Sequence, residues 1–353
     1  KKTMKRKLRK DKPMKIALDA HGGDFGVEPN IKAAIKAVSE GGIELILVGR
    51  DEEIKKELKK LGYSSLPHGL SITHASDIIE MGREPVDECK SKPNSSIMVG
   101  CELVSEGLAN AFISAGNSGA VMVASLLKIK RIKGISRPAI AIPFPTKKGT
   151  SIILDVGANT DVKPFNLVQF ALMGSVFYKN IFENNNPTVG ILSIGEEETK
   201  GNSLVLETLP LLKTTKHINF IGPVEGRDIP EGKADIVVCD GFVGNIVLKL
   251  SEGIVKFIKD FLCTEISKSL MRRIGALLLK NVFKGFKNIT DPERFGGALL
   301  LGVDGVIMVS HGNSSDRAIY NAIMRARDAV ERDIITKIKS DLQDIIENAE
   351  EKN

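Results

Sequence analysis

The feature that most limits how this chain can fold is a repeated unit: a short apolar run, a glycine turn, then an amphipathic helix. Residues 234–257 carry it most clearly. Ile236-Val237-Val238-Cys239 is a short apolar run suited to a strand buried on both faces. Asp240-Gly241 breaks it. Gly244-Asn245 then opens a helical pattern in which Ile246, Leu250, Ile254 and Phe257 recur on one face. A tight strand-to-helix turn aims backbone N–H groups and a helix N-terminus at whatever binds there, which favours anions. The alternative is an ordinary corner with a silent glycine turn. The same helix is predicted to run on toward a basic, apolar stretch, Ile254–Lys287.

The unit recurs along the chain. Strands are expected at Lys15–Ala20, Glu44–Val48, Ser71–His74, Ala111–Ser114, Ile140–Pro143, Ser151–Leu154, Thr188–Ser193, Asn219–Gly222 and Val306–Val309. Helices are expected from Pro29, over Asp51–Leu61, Asn94–Gly107, Ala120–Leu127, Leu167–Asn180 and Leu204–Lys213, and from about Ser315 onward. Ile78–Glu88 is read as mostly irregular, and Phe295–Gly305 as a glycine-rich return. Strands alternating with helices predict an α/β fold with a mainly parallel sheet and helices on both faces. Ligands of such sheets sit beyond the carboxyl ends of the strands, where the glycine turns fall. No turn matches G-x-G-x-x-G, so the dinucleotide fingerprint is absent.

Composition narrows the class. With 353 residues, 42% hydrophobic and 27% charged, the chain is of globular type. No apolar run reaches the roughly 18 residues of a membrane-spanning helix. No apolar segment follows the basic start, so no signal peptide is expected. The four cysteines lack paired spacing, which suits a reducing cytoplasm and suggests neither a zinc site nor a disulfide frame. The net charge of +6 arises in the first twelve residues, whose eight Lys/Arg and one Asp give +7 and leave −1 for the rest. A basic folded surface for nucleic acid is therefore not implied. Residues 1–13 are expected to be a disordered basic extension, and 14–347 a single catalytic domain with a helical excursion at 254–290.

The turns present Asn117, Ser118, Asp155, Asn159, Lys200, Asn202, Glu225, Arg227, Asp240, Asn245 and His311. These are mostly donors and small polar groups. A lysine beside Gly201, among glycine-turn N–H groups, suits phosphate. Other uses exist: Asn159 and Asn245 as turn formers, His311 as an ordinary hydrogen-bonding residue, Lys200 as an ion-pair partner of Glu196–Glu198. No Ser-His-Asp or Cys-His arrangement, G-x-S-x-G elbow or Walker lysine motif appears. A transferase built on these turns would use the substrate as its nucleophile.

The ordered set LDAHGGD (Leu18–Asp24), SAGNSGA (Ser114–Ala120), RPAI (Arg137–Ile140), LDVGANTD (Leu154–Asp161), IGEEETKGN (Ile194–Asn202), EGRD (Glu225–Asp228), CDGFVGNIVLK (Cys239–Lys249) and SHGNSS (Ser310–Ser315) resembles the phosphate acyltransferases of bacterial phospholipid synthesis, the PlsX type. His21 and Ser118 stand where that pattern has methionine and threonine. The resemblance implies a three-layer α/β/α sandwich similar to isocitrate and isopropylmalate dehydrogenases, acting as a homodimer. It implies acyl transfer from acyl-[acyl carrier protein] to inorganic phosphate, which requires no cofactor or metal.

Such chemistry needs phosphate positioned beside the thioester, charge neutralisation, and donors for the tetrahedral oxyanion. Lys200 is assigned to phosphate or transition-state charge, with Asn202, Asn159 and Asn117 as donors. Asp155, Asp240 and His311 would orient loops or manage protons. Gly22, Gly23, Asp24, Gly116, Ser118, Gly157, Glu225, Arg227, Gly244 and Asn245 complete the expected substrate-binding set. Two other enzyme readings stay open: a coenzyme A-dependent phosphate acetyl- or butyryltransferase, and an S-adenosylmethionine methyltransferase suggested by Ile152–Gly157. A binding module built on the basic extension is the non-enzyme alternative.

Two surfaces are also expected. Ser251–Thr290 holds eight Lys/Arg against three Asp/Glu, and Leu270, Ile274, Leu277 and Leu278 fall on one helical face. That pattern predicts reversible attachment of 254–287 to the inner face of the cytoplasmic membrane, with a core or dimer helix as the alternative. Acyl carrier proteins are acidic, and Lys256, Lys259, Lys268, Arg272 and Arg273 form the densest folded basic group expected to meet one.

Overall fold

A computed structural model describes residues 13–350 of the chain. All but Pro13 of the expected basic extension lies outside the described residues. The strands in chain order are β1 (Met14–Asp19), β2 (Ile43–Gly49), β3 (Leu70–His74), β4 (Ala111–Ser114), β5 (Ala139–Thr146), β6 (Gly149–Leu154), β7 (Thr188–Ser193), β8 (Asn219–Glu225), β9 (Ile236–Val238), β10 (Ala298–Leu301) and β11 (Val306–Val309). The chain forms two compact units. The first comprises the residues up to Ile140, Val176–Asn185 and those from Phe295 onward; the second comprises Ala141–Ser175 and Asn186–Arg294.

In the first unit β3, β2, β1, β4 and β11 pair in parallel in that order, and β10 joins β11 antiparallel. Ile16–Leu18 and Ala111–Ile113 are fully buried, as strands covered on both faces require. Helix Ser96–Ser105 presses on β4 so closely that a Cβ on Gly100 would lie 2.1 Å from the Phe112 ring. In the second unit β6, β9, β7 and β8 pair in parallel, and β5 forms an antiparallel hairpin with β6. The part of helix Pro164–Phe182 that belongs to this unit, up to Ser175, packs on β6 and β9; a Cβ on Gly174 would meet Ile236 at 3.0 Å and Leu154 at 3.2 Å. The α/β class with mostly parallel strands is thus as expected.

Several boundaries differ from expectation. Helix Val27–Ser39 starts two residues before Pro29, which sits in the first turn where no intrahelical N–H bond is lost. Pro85 likewise opens a short helix, Pro85–Ser91, that begins within the stretch Ile78–Glu88 read as mostly irregular and runs past its end. The glycine-rich return contains β10. The helix that opens at Gly241 ends at Ser267, and Ser269 caps a new one, its side chain accepting from the Arg272 N–H. Leu270–Leu278 and Lys280–Thr290 are therefore separate short helices. The terminal helix is also two, Asp316–Glu331 and Ile334–Glu350, with Asp333 between them at φ 52°.

Candidate active site

In the first unit, three turns meet around one buried carboxylate. Asp19 ends β1 and accepts from the Ser114 hydroxyl at 2.7 Å and the His21 backbone N–H at 3.1 Å. Ser114 in turn accepts from the Gly116 N–H at 3.0 Å. Burial pushes the Asp19 pKa up, against hydrogen bonds from Ser114, Ser96 and His21 that stabilise its charge. Gly22 lies in this knot: a Cβ there would stand 2.9 Å from Asp19 and from the Ala115 and Gly116 nitrogens. Beyond it, the Asp24 N–H donates to Gly312 O, and a Cβ on Gly23 would lie 3.0 Å from that oxygen. Glycine at both positions lets the first turn lie against the other two.

The expected residues of this unit have distinct fates. Asn117 caps helix Ser118–Ala124 through the Ala120 N–H at 3.1 Å, and its Nδ2 donates to Glu80 O and Arg83 O. Both ends of its amide are thus engaged in holding loops. Ser118 begins that helix and is exposed, as are Asp24 and His311. Asp19 and Ser114 were not among the expected site residues. Their signal was present: an acidic residue closing an apolar strand before glycines, as at Leu154-Asp155.

The second unit repeats the device. Asp155 follows β6 and is fully buried. Its Oδ1 accepts from the Gly157 and Ala158 N–H groups, at 3.2 and 3.0 Å; its Oδ2 accepts from Asn159 N at 2.7 Å and Asn159 Nδ2 at 2.9 Å. This turn therefore already holds an anion of its own, a carboxylate. Against it lies the start of helix Gly241–Ser267. The Gly241 N–H donates to Asn159 O at 2.7 Å, and Asp240 caps the helix through the Val243 N–H at 2.8 Å. A Cβ on Gly244 would fall 1.9 Å from Asp155 O, and one on Gly241 2.6 Å from Asn159 O. Asn245 is exposed beside Gly157. Burial, with Asp240 and Asp155 nearby, raises the Cys239 thiol well above its ordinary range, so it stays protonated.

The remaining turns lie after β7 and β8. Asn202 caps helix Ser203–Thr214 with its Oδ1, accepting from Val205 N at 2.9 Å. Lys200 is exposed, and its Cγ would lie 3.0 Å from a Cβ on Gly195. Two of the three preceding glutamates pair elsewhere, Glu196 with Lys233 at 2.7 Å and Glu198 with Lys213. Lys200 pairs with no carboxylate among the described residues. Glu225 caps the turn Gly226–Asp228 and pairs with Arg227 at 2.7 Å, so these two form a closed local unit.

Sequence comparison fits this arrangement. A family described as fatty acid synthesis protein matches residues 14–337. A phosphate acyltransferase of Elusimicrobium minutum is 51% identical over 342 residues, covering 96% of this chain and 100% of that protein. One from Dictyoglomus turgidum is 46% identical over 338 residues, covering 96% of this chain and 100% of that protein. Among solved structures, a phosphotransacetylase from Streptococcus pyogenes shares the fold, with TM-score 0.59 and 21% identity over 94% of this chain and 99% of that one. So does a 4-hydroxythreonine-4-phosphate dehydrogenase from Klebsiella pneumoniae, with TM-score 0.50 and 12% identity over 90% of this chain and 98% of that one. The chain belongs to the fatty acid synthesis protein family, among its phosphate acyltransferase relatives.

Proposed function

We propose that this protein transfers a fatty acyl group from acyl-[acyl carrier protein] to inorganic phosphate, forming acyl phosphate for phospholipid synthesis. The observation that carries this reading is identity of about half to a phosphate acyltransferase over that relative's whole length. A phosphate oxygen attacks the thioester carbonyl carbon. The tetrahedral intermediate collapses, the C–S bond breaks, and the carrier thiolate leaves and takes up a proton. Phosphate is substantially ionised near neutrality and needs little help from a base. It needs a cation and donors. The unpaired charge of Lys200 supports a role in holding phosphate or neutralising the transition state. Nδ2 of Asn202 has no partner among the described residues, which supports a donor role. Asp155 and Asp240 act as positioning residues. Asn159 and Asn117 do the same rather than donating to the substrate, since their amides already hold turns.

The same reading includes a cytoplasmic homodimer that attaches reversibly to the inner membrane face. No helix among the described residues is long and apolar enough to cross a membrane. Helix Gly241–Ser267 buries only Gly241 and Gly244, and its stripe of Phe242, Ile246, Leu250, Phe257 and Phe261 faces solvent. A second copy would cover such a face. Helices Leu270–Leu278 and Lys280–Thr290 bury nothing; Leu277 and Leu278 are 70% and 82% exposed among basic residues. That supports an interfacial membrane anchor over a core helix.

The test is acyl phosphate formation from inorganic phosphate with either acyl-carrier protein or acyl-coenzyme A as donor. Turnover of the first supports the proposal. Exclusive use of the second would transfer the protein to the coenzyme A-dependent class.

A further inference from the structure

The segment Leu126–Arg137 has no part in the site described above. It carries Lys128, Lys130, Arg131, Lys133 and Arg137 and no carboxylate. Ile129, Ile132 and Ile135 are buried and peg it to the first unit, while Lys130, Arg131, Lys133 and Arg137 are exposed. Backbone bonds fix its path. Lys130 O accepts from Asp304 N, the Ile132 N–H donates to Gly302 O, and Arg131 bridges Val303. The nearby carboxylates are already engaged: Glu102 with Lys128 at 2.9 Å, Asp304 with Lys339. Lys130, Lys133 and Arg137 pair with no carboxylate among the described residues. Lys130, Arg131 and Lys133 line a depression of about 380 Å³ together with Leu126 and Ile135, and Arg137 follows two residues on in the chain. It is thus a concave surface, fixed by backbone hydrogen bonds, with a positive rim that no carboxylate among the described residues compensates.

Its place in the chain matters. The turn at Gly116–Ser118 opens helix Ser118–Ala124, which continues as one π turn, Ser125–Ile129, directly into this segment. Twelve helical residues span roughly 18 Å. One rigid element therefore joins a turn assigned to substrate with the basic depression. π turns inside helices frequently mark functional sites. The other basic group is weaker than its composition suggests. Glu265 pairs with both Lys268 and Arg272, neutralising part of that cluster.

We infer that the depression over Leu126–Arg137 is the surface on which the acidic acyl carrier protein docks. The inference rests on the carrier-dependent reaction proposed above. Carboxylates on the carrier meet Lys130, Lys133 and Arg137 around the depression, and the thioester on its flexible arm is directed along the helix toward Gly116–Ser118. Exposed charges of this kind govern encounter and orientation more than tight holding, so the complex is short-lived and salt-sensitive.

Two variants test it: Lys130→Gln/Lys133→Gln/Arg137→Gln and the corresponding triple Glu substitution. Each exposed contact carries a factor of about 1.5–5 in affinity. Removing three weakens binding of acyl-carrier protein about tenfold at low salt, and reversal weakens it further. Thermal melting checks that each variant is folded. On wild-type protein, hydrogen exchange should slow over 126–137 when carrier protein is added, a readout independent of any variant. Affinities within twofold of wild type in folded variants would overturn the inference. So would protection confined to 256–273. If wild-type protein forms acyl phosphate from acyl-carrier protein, those outcomes overturn this surface alone; if it forms none, the functional reading itself fails.

Discussion

Gly244 and Gly253 lie on the same helix, and alanine at each should have opposite effects. A Cβ on Gly244 would fall 1.9 Å from the Asp155 carbonyl oxygen and 3.0 Å from both its carbon and Cys239 Sγ. The nearest obstacle is backbone, so no rotamer change relieves it. The helix start or the Asp155 turn must move. Overpacking of a closed contact costs about 1–3 kcal/mol or more, against about 0.5–1 kcal/mol gained by replacing glycine in a helix. A 1.9 Å approach to backbone belongs at the upper end of that cost, so the net for Gly244→Ala is a loss of roughly 2 kcal/mol, or about 4–8 °C in Tm for a cooperative unit of about 150 residues. Gly253 has nothing within 4 Å, so Gly253→Ala should gain about 0.5–1 kcal/mol. Scanning calorimetry on both proteins reads the difference. Activity should fall only in Gly244→Ala, because the displaced turn is the one Asp155 and Asn159 hold. Equal Tm values for the two variants would refute the close approach between the helix start and the turn.

Three further outcomes follow from the same geometry. Asp19 has its pKa raised by burial above the ordinary 3.8, so the folded state binds its proton more tightly than the unfolded chain. Its carboxyl therefore favours folding below the unfolded value, and that contribution is lost as pH rises through the raised folded value. The Tm difference between Asp19→Asn and wild type should shift in the variant's favour over that rise, and a difference independent of pH would contradict it. Leu277→Glu/Leu278→Glu removes two apolar contacts of roughly 1.5–3 kcal/mol each, so sedimentation with anionic vesicles should fall more than a hundredfold while acyl-carrier protein is still turned over. Persistent sedimentation would free this helix from the anchoring role, and a collapsed fold would make it part of the core. Lys200→Ala should lower kcat/KM for phosphate at least tenfold with the fold intact, and a smaller loss removes Lys200 from the catalytic role.

Much of the fold was legible because strands buried on both faces must be apolar runs, and their turns must admit glycine. β4 and β9 illustrate this, each short, fully buried and closed by a polar turn, as does β1 from Ile16 onward. β10 escaped because Ala298-Leu299-Leu300-Leu301 sits between glycines that read as a loop, and its antiparallel pairing with β11 follows no βα rhythm. The break at Ser269 escaped because one capping hydroxyl, not a glycine or proline, ends the helical run. At the site, residue types were legible and their uses were not. Asn117, Asn159 and Glu225 look like ligands in sequence, yet each is engaged by its own turn or cap. Lys200 shows the converse. Three adjacent glutamates suggested neutralisation, but Lys213 and Lys233 take two of them from other elements. Only packing decides such allocations.

A single assay decides whether the protein transfers acyl groups to phosphate: purified protein, acyl-carrier protein and inorganic phosphate, with acyl phosphate trapped by hydroxylamine and free carrier thiol counted alongside it. One thiol should be released per acyl phosphate formed, dependent on phosphate. Thiol release that does not require phosphate, or no release at all from folded protein, would contradict it.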